Sequence, residues 1–172
     1  MLPQETDRLL LRPFKTADFD EMHHILSDAK TMQFWPAPFS EEATRDWVEN
    51  NISRYADDGC GRMAIVQKQT GVLVGHCGIA RIEVNGVLEN DLGYIVHHAF
   101  WNRGYASEAA AAHLDFGLRD LHLGRVIANM PVSHCASRRV AEKIGMLYAG
   151  EFLNPRNRMI PTCLYAATQP PA

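Results

Sequence analysis

Apolar positions in the first third of the chain follow a helical period. Phe19, Met22, His23 and the Ile25–Leu26 pair recur every three to four residues, which predicts a helix over 16–29 with Thr16 placed to cap it. A second helix is predicted over 40–59. Ser40 and the acids Glu41 and Glu42 open it, and Trp47, Val48, Ile52 and Tyr55 form its apolar face. Ahead of both, "DRLLLRPF" (7–14) reads as a strand with a proline near its end, and "MQFWPAPF" (32–39) is a loop between the helices. After Gly59 the pattern changes. "GRMAIVQK" (61–68) and "GVLVGHCGIARIEV" (71–84) read as strands joined by a Gln69-Thr70-Gly71 turn, and 87–100 reads as a third strand ending near His97. A helix follows from about Tyr105, then a strand over 123–132. The next helix, over 133–145, has Ser133 or His134 near its N-cap and Gly145 at its end. "MLYAGEFL" and "MIPTCLYAAT" are the last strands, with "NPRN" turning between them, and "QPPA" reads as a frayed tail. The order β-α-α-β-β-β-α-β-α-β-β lacks the regular alternation of a doubly wound fold and predicts one α+β domain over residues 1–172, with no repeat and no linker.

The segment "WNRGYASEAAAAHLDFGLRD" (101–120) combines a glycine turn with an alanine-rich helix. At about 100° per residue, Tyr105, Ala109, Ala112 and Phe116 share one stripe, while Glu108, Asp115 and Arg119 share a neighbouring polar one. Such a helix packs tightly on a sheet. At its start, backbone N–H groups lack helical partners and the positive end of the dipole points outward. Gly104 lets another group approach the backbone, Ala106 adds little bulk, and Ser107 and Arg103 add a hydroxyl and a charge. This arrangement fits a phosphate cradle as well as a plain turn. The pattern is neither G-x-G-x-x-G nor a Gly-Lys-Ser/Thr loop, which argues against a dinucleotide fold or a P-loop.

Composition narrows the class. Of 172 residues, 47% are apolar and 22% charged, with a net charge of −3, so a globular protein is expected and nucleic acid is not an expected partner. No apolar run is long enough for a membrane span, and the opening residues lack the pattern of a signal peptide. The cysteines Cys60, Cys77, Cys135 and Cys163 have no CxxC spacing and read as reduced thiols of a cytoplasmic protein. The histidines form adjacent pairs rather than HExxH spacing, and no metal is expected.

Two long stretches, "DLGYIVHHAFWNRGYASEAAAAHLDFG" and "RVIANMPVSHCASRRVAEKIGM", resemble the GNAT superfamily of acyl-CoA N-acyltransferases, and within it the RimJ/RimL-type branch. "TDRLLLRPF", the helix pair and "TGVLVGHCGI" extend the resemblance over about 5–168. It implies a GNAT-like, mostly antiparallel sheet with helices on both faces, in which two parallel strands, 87–97 and 124–130, splay apart to take acetyl-CoA. The pyrophosphate would sit on the backbone N–H groups of Arg103, Gly104, Tyr105 and Ala106 with Ser107 nearby. The pantetheine would pair with the backbone of Ile95, Val96 and His97. His134 stands where the family often has asparagine to bond cofactor or substrate, and Ala141 where many members place a tyrosine acid, so Ser137 becomes the substitute donor.

The expected reaction is attack of an amine on the acetyl thioester in a ternary complex. The amine must lose a proton, and Glu89 and Asp91, two apart on one face of the strand, are the candidate bases. Both also read as solvated strand carboxylates, and Glu108 as structural. A backbone N–H near Val96 or His97 would hold the oxyanion. Ser137 reads equally as a core-facing serine. Phe34, Trp35 and Phe39 line the acceptor pocket or anchor their loop, and Arg138, Arg139 and Lys143 meet a cofactor phosphate or form a solvated face. The expected partners are acetyl-CoA and an amine acceptor, with a homodimer compatible with the sequence. Another acyl-CoA donor, or a non-catalytic acyl-CoA-binding regulatory module, are the alternatives on the same scaffold.

Overall fold

The computed structural model describes residues 4–169, without the side chains of Gln4 and Ala56. The last three residues of the tail expected to fray lie outside this range. The strand predicted over 7–14 is β2 (Leu9–Arg12), and a short strand not expected from the sequence, β1 (Gln4–Glu5), precedes it and pairs antiparallel with it. Next come α1 (Phe19–Leu26) and α2 (Glu41–Asp57), then β3 (Arg62–Gln67), β4 (Leu73–Val84) and β5 (Val87–Val96). The remainder is α3 (Tyr105–Asp115), β6 (Arg125–Pro131), α4 (Cys135–Lys143), β7 (Leu147–Asn154) and β8 (Ile160–Thr168).

Helix ends follow local chemistry. Ser40 caps α2 as expected, its hydroxyl accepting from the Ala43 N–H at 3.1 Å. Thr16 does not cap α1. Residues 16–18 form a 3-10 turn instead, and the buried Asp18 accepts from the Lys15 N–H (2.8 Å) and both terminal nitrogens of Arg12 (2.7 Å each). Gly145, at φ +88°, closes α4 in the left-handed conformation that suits glycine. Beyond α3 the coil widens into a π turn over Phe116–Asp120, and the Asp115–Arg119 pair read from the sequence spans it at 2.7 Å.

The strands form one sheet in the order β1-β2-β3-β4-β5-β6-β8-β7. Its pairs are antiparallel except β5–β6, which is parallel. Helices cover both faces. Met22, Ile25 and Leu26 of α1 and Val48 of α2 pack on Ala64, Val66, Leu73 and Ile95. On the other face, Tyr105, Ala109, Ala110 and Leu114 of α3 and Ala141 of α4 pack on Leu9, Ile65, Val74, Leu92 and Val126. The small residues of α3 thus serve close packing on the sheet, as the alanine run implies.

The β5–β6 seam sets the geometry of the site. β5 pairs with β4 from Val87 to Val96, and β6 with β8 from Arg125 to Pro131, yet β5 and β6 share the single ladder position Asp91↔Ile127. Past that point the two strands diverge. Asp91, 3% exposed, joins three strands there: its Oδ2 pairs with Arg62 of β3, and its Oδ1 accepts from Asn129 Nδ2 of β6 at 2.8 Å. Arg62 also donates to the backbone carbonyls of Gly78 and Asp91. It lies across Gly93, where a Cβ would collide with the guanidinium.

Arg62→Met leaves the Asp91 charge buried without its counter-ion and is expected to cost about 3–5 kcal/mol. The double variant Arg62→Met/Asp91→Leu should recover much of this. Urea denaturation of the two variants checks it; equal losses in both would show that the pair is not coupled.

Candidate active site

Two features flank the divergence of β5 and β6. The first is the turn into α3. Gly104 adopts φ +81° at the N-cap and offers no side-chain cap, so the first turn begins with open amides; the first helical bond runs from the Glu108 N–H to the Gly104 carbonyl at 3.0 Å. Arg103 and Gly104 are exposed, and Ala106 and Ser107 half-buried. Tyr105 turns its side chain inward, where its hydroxyl accepts from Gln67 at 2.9 Å, leaving its backbone at the turn. The N-terminal segment braces this turn. Glu108, read as structural, accepts from the Arg8 N–H (3.0 Å), Arg8 Nε (2.7 Å) and the Thr6 hydroxyl (2.5 Å). Arg8 continues to the Arg103 carbonyl at 2.9 Å. Burial raises the Glu108 carboxyl, and the bonds from Thr6 and Arg8 outweigh that, so it lies below the ordinary glutamate range.

The second feature is a cleft of about 300 Å³ at the seam, lined from both faces of the sheet. Asp91, Tyr94, Ser137 and His134 all line it. Ser137 is buried; its hydroxyl donates to the Tyr94 oxygen at 3.2 Å, and Tyr94 donates to the Ser137 carbonyl at 2.9 Å. Burial pushes the Tyr94 phenol well up, so it remains a proton carrier at neutral pH. His134 stacks on Phe34 at 3.8 Å, and burial pushes its imidazole down to about 4, so it is neutral. Phe34, Trp35 and Phe39 line the cleft, and Trp35 and Phe39 also pack on the core, so the loop has features of both readings.

Backbone direction sorts the expected pantetheine contacts. The His97 N–H donates to the Val74 carbonyl at 2.9 Å. By the alternation of an antiparallel ladder, Ile95 also faces β4, while Tyr94 and Val96 face the opening. Of Ile95, Val96 and His97, Val96 therefore presents its N–H to the gap; Ile95 is committed to β4, and His97 donates to β4 and accepts from the Phe100 N–H at 2.9 Å. The Val96 carbonyl accepts from Trp101 Nε1 at 2.7 Å. Of the two carboxylates, Asp91 reaches the cleft, whereas Glu89 sits 3.5 Å from Arg125 and is not among the lining residues.

Sequence reasoning missed Arg62, Tyr94 and His76 at this site. His76 lines the cleft, is 5% exposed, and its Nδ1 has no hydrogen-bond partner among the described residues. Burial holds its imidazole neutral, well below the usual histidine range. A further cluster ties the aromatic loop to the segment after β5. Asp28 Oδ2 accepts from the Thr31 N–H (2.7 Å) and hydroxyl (2.6 Å) and lies 2.7 Å from His98 Nδ1. The His98 N–H in turn donates to the Thr31 hydroxyl at 3.0 Å. Asp28, His97 and His98 hold one ligand atom each within 4.8 Å of one another, but hydrogen bonds already occupy this Asp28 oxygen. Among the described residues no helix is long and apolar enough to cross a membrane.

The sequence profile of the acetyltransferase (GNAT) domain matches residues 8–147. This chain belongs to the GNAT acetyltransferase family. Among curated GNAT-like relatives, the uncharacterized protein YkkB of Bacillus subtilis (strain 168) is 33% identical over 145 residues, 84% of each chain. The uncharacterized N-acetyltransferase YnaD of the same organism is 32% identical over 148 residues, 86% of this chain and 84% of that one. Among solved structures, a GNAT-family acetyltransferase from Bacillus anthracis superposes with a TM-score of 0.83 at 29% identity, covering 97% of this chain and 98% of that one. The RimL ribosomal L7/L12 alpha-N-protein acetyltransferase in complex with coenzyme A shares the fold, with a TM-score of 0.81, 18% identity and 98% of each chain covered. The GNAT sheet and its parallel pair are thus as the resemblance implied, and the chain is an acetyltransferase.

Glu108→Gln tests the brace on the turn. Because the folded carboxyl lies below its unfolded value, the stability it supplies is present above about pH 4.5 and fades as pH falls through the folded value. Wild type should exceed the variant by about 1 kcal/mol at pH 7, with the gap closing below pH 4 in chemical denaturation. A gap independent of pH would assign the stabilisation to packing instead.

Proposed function

We propose that this acetyltransferase moves the acetyl group of acetyl-CoA to a primary amine by direct attack in a ternary complex. The observation that carries the reading is the opening between β5 and β6. It begins at Asp91 and Ile127 and runs past the outward backbone of Val96, with the α3 turn and the aromatic cleft beside it. The amides of Arg103, Gly104, Tyr105 and Ala106, with Ser107 beside them, hold the pyrophosphate against the positive end of α3. The pantetheine arm follows the β5 edge at Val96, bordered by Ile95 and His97. The assignment to the RimJ/RimL-type branch rests on the W-x-x-G-Y-A-x-E-A turn and the TDRLLLRPF opening, and points to α-amines as acceptors.

In the reaction the amine nitrogen attacks the thioester carbonyl carbon, and charge gathers on the carbonyl oxygen, which the Val96 N–H meets. The C–S bond then breaks and its electron pair leaves on sulfur. A free thiol titrates near 8.5, so a hydrogen bond suffices for the leaving thiolate, and Ser137 supplies it by turning its hydroxyl from the Tyr94 oxygen to the sulfur. His134 stacks on the aromatic loop and shapes the acceptor side. Asp91 receives the amine proton through water. Each of its oxygens accepts from one protein side chain and keeps a further acceptor position. Glu89 takes no part in this step. Holding two substrates in attack geometry supplies much of the acceleration.

Calorimetric titration with acetyl-CoA tests the site. Wild type should bind with micromolar affinity, and Gly104→Glu, which adds bulk and like charge to the turn, should abolish binding while circular dichroism stays native. Folded wild type that does not bind acetyl-CoA overturns the reading.

The pH dependence follows from the cleft. His134 titrates at about 4 and His76 well below its usual range, so neither gains a proton near pH 7. The kcat/KM should therefore rise tenfold per pH unit and level near the pKa of the acceptor amine, at about 8 for an α-amine and about 10.4 for a lysine side chain. A profile that levels near pH 6.5 for every acceptor would point to an enzyme group instead.

A further inference from the structure

The charges lining the acceptor cleft are unevenly balanced. Its carboxylate, Asp91, is committed to Arg62 and Asn129, so the pair contributes no net charge. Both histidines are neutral. Arg156, in the turn between β7 and β8, lines the cleft with no acidic partner among the described residues, and Arg158 stands in the same turn, likewise without one. The cleft is therefore cationic and has no uncommitted acid to receive a second ammonium group. Its walls are aromatic, from Phe34, Trp35 and Trp47, and a neutral imidazole nitrogen at His76 is left without a partner.

The cationic turn and the aromatic wall are built as one body. Asn157 Nδ2 donates to the Phe34 carbonyl at 2.8 Å, and Arg158 to the Trp35 carbonyl at 3.1 Å. Arg158 and Met159 hold left-handed backbone, φ +54° and +57°, which is uncommon for such residues and fixes the turn against the loop. An acceptor that meets the aromatic wall thus lies beside the turn from which the exposed Arg156 side chain extends.

We propose that the acceptor is a monoamine carrying a flat apolar body and a carboxylate, with the body against Phe34, Trp35 and Trp47 and the carboxylate on Arg156, and that polyamines are excluded. This rests on the acetyltransferase reading of the same cleft. The guanidinium fork suits a carboxylate in two-point contact, whereas a second ammonium on the acceptor would meet the like charge of Arg156 where it needs a partner.

The test measures thiol release from acetyl-CoA with L-phenylalanine, phenethylamine and spermidine, on wild type and Arg156→Gln, with acetyl-CoA affinity measured in parallel. For wild type, kcat/KM should be at least tenfold higher for phenylalanine than for phenethylamine, and lowest for spermidine. Arg156→Gln should erase the advantage of phenylalanine through KM, with acetyl-CoA affinity retained. Spermidine turned over as well as phenylalanine, a preference that survives Arg156→Gln, or no turnover of any of the three by protein that binds acetyl-CoA would each overturn the acceptor assignment. Failure of folded wild type to bind acetyl-CoA would instead overturn the acetyltransferase reading, and this inference with it.

Discussion

A buried carboxylate holds the apex of the split sheet. Asp91 occupies the last position at which β5 and β6 pair, and it reaches sideways to Arg62 on β3 and forward to Asn129 on β6. Taking two charges out of water is costly, and the Arg62–Asp91 pair offsets that cost with further hydrogen bonds to backbone carbonyls. The return is geometric. Three strands are pinned at one point, so the divergence beyond it has a fixed origin. The open β5 edge, the α3 turn and the aromatic cleft all take their positions from that origin.

Around this apex single elements pack their side chains while leaving backbone groups open. Tyr105 commits its side chain to the core and leaves its backbone at the turn. Val96 packs inward while its amide faces the opening. Gly93 has no side chain because the Arg62 guanidinium occupies that space.

Much of this was legible in the sequence. The helical periods, the Ser40 cap, the glycine turn and the order of elements are local signals, and the resemblance to GNAT enzymes located the splay. The missed features are long-range. Arg62 and Asp91 lie 29 positions apart and meet because β3, β4 and β5 align in one register; a bulge near Ile65 and Val66 shifts that register, and no local pattern announces it. The same register decides that Val96 rather than Ile95 or His97 faces the gap. Tyr94 and Ser137, 43 positions apart, come together because α4 packs on α3 and β6 beside the β5 edge, and Asn157 reaches Phe34 across 123 positions. Thr16 looked like a cap because the sequence does not reveal that Asp18 would be claimed by Arg12 and the Lys15 amide.

The knot formed by Asp28, Thr31 and His98 has a mechanical consequence. It fastens the loop that carries Phe34 and Trp35 to the residues leaving β5, three positions before the turn that Trp101 begins. The aromatic wall of the cleft and the segment leading to the α3 turn are thereby geared together. Displacing either one must break these bonds, so the aromatic loop and the strand exit are expected to shift as one body.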